Sequence, residues 1–165
     1  LVRRICLEYR KQQRPAAGKV APATTILEFS RGKEHGGYAS AFANLGREVV
    51  EKLAIVHVNV SWAESLRKNR QRFNPQRPDS ILEHGLSDDK LERLYKEDDW
   101  GEVSAADPHF VAIQGWRVPY VVFENEDDVT TGRGDPLGAR LEVCLGRLWE
   151  LYGESNKSEA NHFPR

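Results

Sequence analysis

Apolar positions along this chain recur with two periods, and the changes between them mark the predicted elements. Val2, Ile5, Cys6 and Tyr9 fall three or four apart among Arg and Lys, which predicts an amphipathic helix over 1–13. The Pro/Gly/Ala-rich stretch 14–23 reads as a loop. Thr-Thr-Ile-Leu-Glu-Phe-Ser, 24–30, predicts a first strand, and a helix follows over 38–53 with Phe42, Leu45, Val49 and Val50 on one face. Residues 54–60, broken only by His57 and Asn59, are apolar enough to predict a strand covered on both faces, as in a parallel sheet. Ser61 with Glu64 forms a capping-box pair opening a helix over 62–73, which Pro75 and Pro78 stop. A short helix and a second after Ser87, with Leu91, Leu94 and Tyr95 inward, precede an irregular stretch with one extended piece, Phe110 to Ile113. A third strand is predicted over 119–125. The last helix, 137–152, carries Leu141, Val143, Cys144, Leu145, Leu148, Trp149 and Leu151, a density that reads as well buried.

Strands separated by helices predict a three-layer α/β/α domain with a mainly parallel sheet over 1–153, followed by a flexible polar tail, 154–165. In such sheets chemistry collects outside the carboxyl ends of the strands. That places Glu28, Arg31, Ser61 and the 124–135 loop on one rim.

Composition narrows the classes. The 165 residues are 39% hydrophobic and 30% charged, with a net charge of −1, which argues against a general polyanion binder. Nothing approaches the roughly 20 apolar residues of a membrane helix, and no signal-peptide pattern opens the chain. The two cysteines, Cys6 and Cys144, read as buried thiols of a reducing compartment, so the expected location is cytoplasmic. The sequence has no Met and starts in a helical pattern. The expectation is a piece of a longer protein.

Three groups of residues have the chemistry for a site. Glu28 sits at the end of an apolar run, where a buried carboxylate needs a cation, a metal or donors. Either it pairs structurally with Arg31, or it takes a proton from an acceptor hydroxyl or holds Mg²⁺ through water, with Arg31 facing an anionic group. Arg67, Lys68, Arg70 and Arg72 crowd the helix after the second strand, and Arg77 lies beyond Pro75. They form a solvated face, with Glu64 and Lys68 an i,i+4 pair, or a phosphate site. Arg133, between two glycines, reads as part of a solvent-exposed loop, or as a cation that could approach a ligand closely. The histidines show no metal-ligand spacing with Cys or Asp, so no protein-built metal site is expected. Ala-Ala-Gly-Lys-Val is not a phosphate loop, because the first Gly and the Mg²⁺-binding Ser/Thr are absent.

In order and spacing, residues 24–152 resemble the later part of a P-loop nucleoside or nucleotide kinase. The matches are Glu28 and Arg31 in Ile-Leu-Glu-Phe-Ser-Arg-Gly, the second strand running into the Arg-rich helix, and Pro-Tyr-Val-Val-Phe-Glu-Asn before the 126–135 loop. The resemblance implies ATP and Mg²⁺, with Glu28 and Arg31 catalytic and Arg67, Arg70, Arg72 and Arg77 binding phosphates on a lid. It also implies that Thr130 and Arg133 border the nucleotide base, that 61–117 forms the lid and insertion, and that the partner is a small-molecule acceptor. The Walker A loop and its strand are absent, so the fragment should be inactive alone. The competing expectation is a non-enzymatic α/β interaction module using Trp62, Trp100, Trp116 and the acidic runs. Nucleic-acid and membrane partners are not expected.

Overall fold

The computed structural model describes residues 2–12, 24–30, 32–77, 79–80 and 83–160. It is a mixed α/β fold around a three-stranded sheet. Helix α1 (Val2–Gln12) is followed, after a described segment 24–30 and a 3-10 turn at Lys33–His35, by α2 (Gly37–Ala43) and α3 (Arg47–Val50). Strand β1 (Ile55–Asn59) leads into α4 (Trp62–Arg72), then α5 (Asp88–Leu91), a π-helical turn at Glu92–Lys96 and α6 (Trp100–Ser104). The hairpin β2 (Phe110–Ile113) and β3 (Trp116–Glu124) precedes α7 (Val129–Gly132) and the long α8 (Asp135–Ala160).

The strand order is β1-β3-β2. β1 lies parallel to β3, with Ile55 opposite Tyr120 and Asn59 opposite Glu124, while β2 is antiparallel to β3. The sheet is therefore mixed. Residues 24–30 form no strand among the described residues, a correction to the sequence reading. Their burial nonetheless alternates, and Leu27 and Phe29 pack on the core while Ile26 and Glu28 are exposed.

Alternation along β3 builds two cores. Val118 and Tyr120 join Val111, Ile113, Phe42, Val50 and Trp100 on one face. Val121 joins Phe110, Leu148 and the fully buried Leu151 of α8 on the other. The two-residue hairpin loop has positive φ at both Gln114 (51°) and Gly115 (85°), the combination whose twist suits a tight hairpin. Gln114 is held there by its side-chain amide, which donates to the carbonyls of Phe42 and Leu45 just after α2. Gly37, at φ 65°, lies where a Cβ would collide with the Asp99 carboxylate. That carboxylate accepts the N–H groups of Tyr38 (2.5 Å) and Ala39 (3.0 Å), fixing the start of α2 from the α6 side of the chain.

Three further expectations are corrected. β1 is not covered on both faces: it pairs only with β3, its outer edge is open among the described residues, and Val56 and Val58 are 37% and 50% exposed. Helix α8 does not end at Tyr152 but runs to Ala160; residues 161–165 lie outside the described residues. Its apolar residues are also not uniformly buried. Leu148 and Leu151 face the sheet, whereas Leu141, Leu145 and Trp149 lie on an exposed flank, Trp149 at 76%. The reason is geometric: a single sheet face covers only one stripe of a helix. No helix among the described residues is long and apolar enough to cross a membrane.

Candidate functional site

β1 and β3, adjacent and parallel, end side by side at Asn59 and Glu124, and the polar rim starts there. Asn59 donates from its amide to the Glu124 carboxylate at 2.8 Å, and the Asn125 N–H donates to the Asn59 carbonyl at 2.9 Å. The chain leaves β1 through Ser61, which caps α4 by accepting the Glu64 N–H at 3.3 Å, as the capping-box spacing predicts. The same hydroxyl and the Ser61 N–H donate to the carboxylate of Glu126, so the start of α4 is tied to the loop after β3.

The next turn of α4 adds the cations. Arg67 bonds Glu64 at 2.6 Å and Asp128 at 2.5 Å, and these carboxylates, Glu64 first, raise its pKa further. Lys68 does not pair with Glu64. Its ammonium donates to the Asn125 carbonyl (2.6 Å), the Asn125 side chain (2.8 Å) and the Asp127 carbonyl (2.6 Å). From α8, Arg140 grips Asp127 through two nitrogens at 2.9 and 2.6 Å and donates to the Glu124 carbonyl. This guanidinium, with the Val129 N–H adding to it, pulls the Asp127 carboxyl down to about 2. The acidic run 124–128 is thus clamped by cations from two helices.

The sequence-predicted residues divide unevenly. Arg67 and Thr130 meet at this loop, Thr130 through a 2.8 Å hydrogen bond to the Asn125 side chain. Arg70 and Arg77 sit beyond it, each on an exposed carboxylate, Asp88 (2.6 Å) and Glu83 (3.1 Å). Arg72 is exposed with no ion pair among the described residues, and Arg133 is exposed at φ 58°. Glu28 is exposed, not buried, and has no hydrogen-bond or ion-pair partner among the described residues. Arg31 lies outside the described residues. Sequence reasoning missed Arg140, Glu126 and the Asn59–Glu124 pair. A polar residue at the end of each parallel strand was the available signal for that pair; nothing local marks Arg140.

Arg67, Lys68 and Arg140 converge on this loop, and Arg70 and Arg72 lie beyond, a set of cations that suits anionic oxygens. Among the described residues no cluster of three or more His, Cys, Asp or Glu could hold a metal. No protein-family model, no curated protein and no solved structure matches the chain.

Proposed function

We propose that this chain is the acceptor-and-lid part of a phosphotransferase of P-loop kinase type, acting on a small-molecule hydroxyl or phosphate acceptor. The observation that supports it is the path of α4. It leaves the carboxyl end of a parallel strand and carries Arg67 and Lys68 onto the loop that follows the neighbouring parallel strand, with Arg70 and Arg72 further along the same helix. Ligands of open α/β sheets bind in that position. Arg70 pairs with Asp88 and Arg67 with Asp128, both surface carboxylates whose pairs are weak enough for phosphate oxygens to displace, while Arg67 stays held by the part-buried Glu64.

In this reading ATP supplies the phosphoryl group, and Arg67, Arg70 and Arg72 neutralise its phosphates, with Arg77 at the margin. The rim carboxylates are already held by cations, so Mg²⁺ would be bound chiefly through phosphate oxygens and water. Glu28 orients or deprotonates the acceptor beside Arg31, and Thr130 and Arg133 border the base. Phosphoryl transfer asks for positioning and charge neutralisation, which fits a site rich in arginine and poor in nucleophiles. The finer fold belongs to the same proposal: a three-layer, mainly parallel domain completed by a further strand and a phosphate loop on the open edge of β1, in the cytoplasm. The sequence has no Gly-x-x-x-x-Gly-Lys-Ser/Thr loop, so this chain alone is expected to be inactive.

The test is transfer of radiolabelled γ-phosphate by a version extended upstream of Leu1 to include such a loop. Glu28→Gln and Arg70→Ala should each lower the rate at least about a hundredfold, a conservative share of what a transition-state arginine supplies. Unchanged rates would remove both role assignments. A second reading, a protein-interaction module, is favoured by one observation, the exposed flank of α8 with Leu141, Leu145 and Trp149. Trp100, by contrast, is core, and Trp62 and Trp116 are half-buried. Absence of any saturable Mg·ATP effect on tryptophan fluorescence of the extended protein would favour the module.

A further inference from the structure

A cleft of about 140 Å³ opens beside the carboxyl half of β1. Its aromatic floor is ordered. The His57 imidazole stacks flat on Trp100, with centroids 4.2 Å apart and planes 4° from parallel. Tyr38 stands edge-on to both rings, at 6.2 Å and 84° from His57 and 5.7 Å and 82° from Trp100. Neither nitrogen of His57 is hydrogen-bonded within the described residues. Ser65 lines the cleft from α4, and Trp62 and Tyr95 form walls. Tyr95 comes from the π-helical turn Glu92–Lys96, a rare geometry that concentrates at functional sites.

Of the charges around the cleft, Lys96 is paired and Asp98 is bonded only to a backbone N–H among the described residues. Lys96 lies over the Trp62 ring at 5.8 Å and is paired with Glu92 at 2.5 Å, while Asp98 accepts the Trp100 N–H at 2.9 Å. What remains open to a ligand is an imidazole with one donor and one acceptor, the Ser65 hydroxyl, ring faces and the acceptor oxygens of Asp98, which a ligand hydroxyl can also serve. A hydroxyl on the ligand can act as donor or acceptor and so matches every one of them. Pockets for drug-sized ligands measure roughly 300 to 1,000 Å³, so this cleft takes nothing larger than one small ring.

We propose that the cleft binds a small uncharged polyhydroxylated ring, a sugar or cyclitol, with its hydroxyls on His57 and Ser65 and its ring between the Trp62 and Tyr95 walls. Its standing as the phosphate acceptor rests on the phosphotransferase reading; the binding itself does not.

The test is heteronuclear NMR of the labelled chain at neutral pH, titrated separately with myo-inositol, D-glucose and adenosine, without ATP. The expected result is saturable movement of the His57 ring and Trp62 indole signals with a polyol. Ser65→Ala and His57→Phe should each weaken it roughly tenfold, the scale of one lost hydrogen bond, with the Ser65→Ala melting temperature unchanged. No saturable movement with either polyol, affinities unaltered in Ser65→Ala, or tighter binding of adenosine would overturn the proposal. Polyol binding in a protein that shows no phosphoryl transfer would uphold the cleft and refute the reaction, so the two failures are separable.

Discussion

Replacing Lys68 by Met removes three donors and keeps the aliphatic stem, which isolates the clamp between α4 and the loop after β3. Two of the lost bonds, both to Asn125, are part-buried, and the third, to the Asp127 carbonyl, is exposed. Hydrogen bonds to charged groups contribute about 1.5–3 kcal/mol each. Because the acceptors sit in a surface loop that water can reach, the lower figure applies to the two part-buried bonds and little to the third. The expected loss is about 2–3 kcal/mol, or roughly 5–10 °C in Tm for a domain of this size. Urea unfolding followed by far-UV circular dichroism measures it. Amide exchange should quicken across 125–130, where the loop loses its anchor, and much less in α1. A loss below about 0.5 kcal/mol, the scatter of a neutral surface substitution, would refute the reasoning. So would a larger loss without faster exchange in that loop, since the stability would then have come from elsewhere.

Burial pushes the His57 pKa below its ordinary 6.5, against the opposing pull of Asp98 and Glu124. The unfolded chain therefore binds the proton more readily, and the contribution is present above about pH 6.5 and lost as pH falls below it. Unfolding free energy should decline between neutral pH and pH 5 in the native chain, and less so in His57→Gln; equal slopes would exclude His57 as the source. Leu151 is fully buried against the sheet, and Leu151→Ala should cost about 2–5 kcal/mol in chemical denaturation, while Val143→Ala on the exposed side of α8 should be close to neutral. Val58 is half exposed on the open edge of β1, and Val58→Lys should raise the concentration at which the chain stays monodisperse by light scattering; no change would show that the edge is not its aggregation surface.

Much of the fold was legible in the chain. The capping pair Ser61/Glu64, the α4 helix, the short strand at Phe110 to Ile113 and the strand ending at Glu124 stand where periodicity puts them. The failures have physical causes. Residues 24–30 have a strand's alternation, but alternation records which side chains face a core, not whether the backbone finds a ladder partner. The apolar run in β1 predicts two-sided burial, although an edge strand carries the same residues when nothing in the described chain covers it. The single helix expected over 38–53 is divided at Gly46, and Gln114 secures the break by bonding the carbonyls of Phe42 and Leu45, a contact about seventy residues away in sequence that no local pattern encodes. At the rim, the cations were visible as a cluster but their partners were not. Lys68 reaches Asn125 and Asp127 instead of Glu64 because α4 starts beside the loop that follows β3.

The central claim is that the cations of α4 face a polyphosphate, and isothermal titration of this chain with sodium tripolyphosphate at low ionic strength tests it most directly. Binding is expected to be saturable and to weaken as salt rises. It should fall at least about tenfold in an Arg70→Ala/Arg72→Ala double variant that melts like the native chain. Heats indistinguishable from dilution, or an affinity that the double variant leaves unchanged, would contradict it.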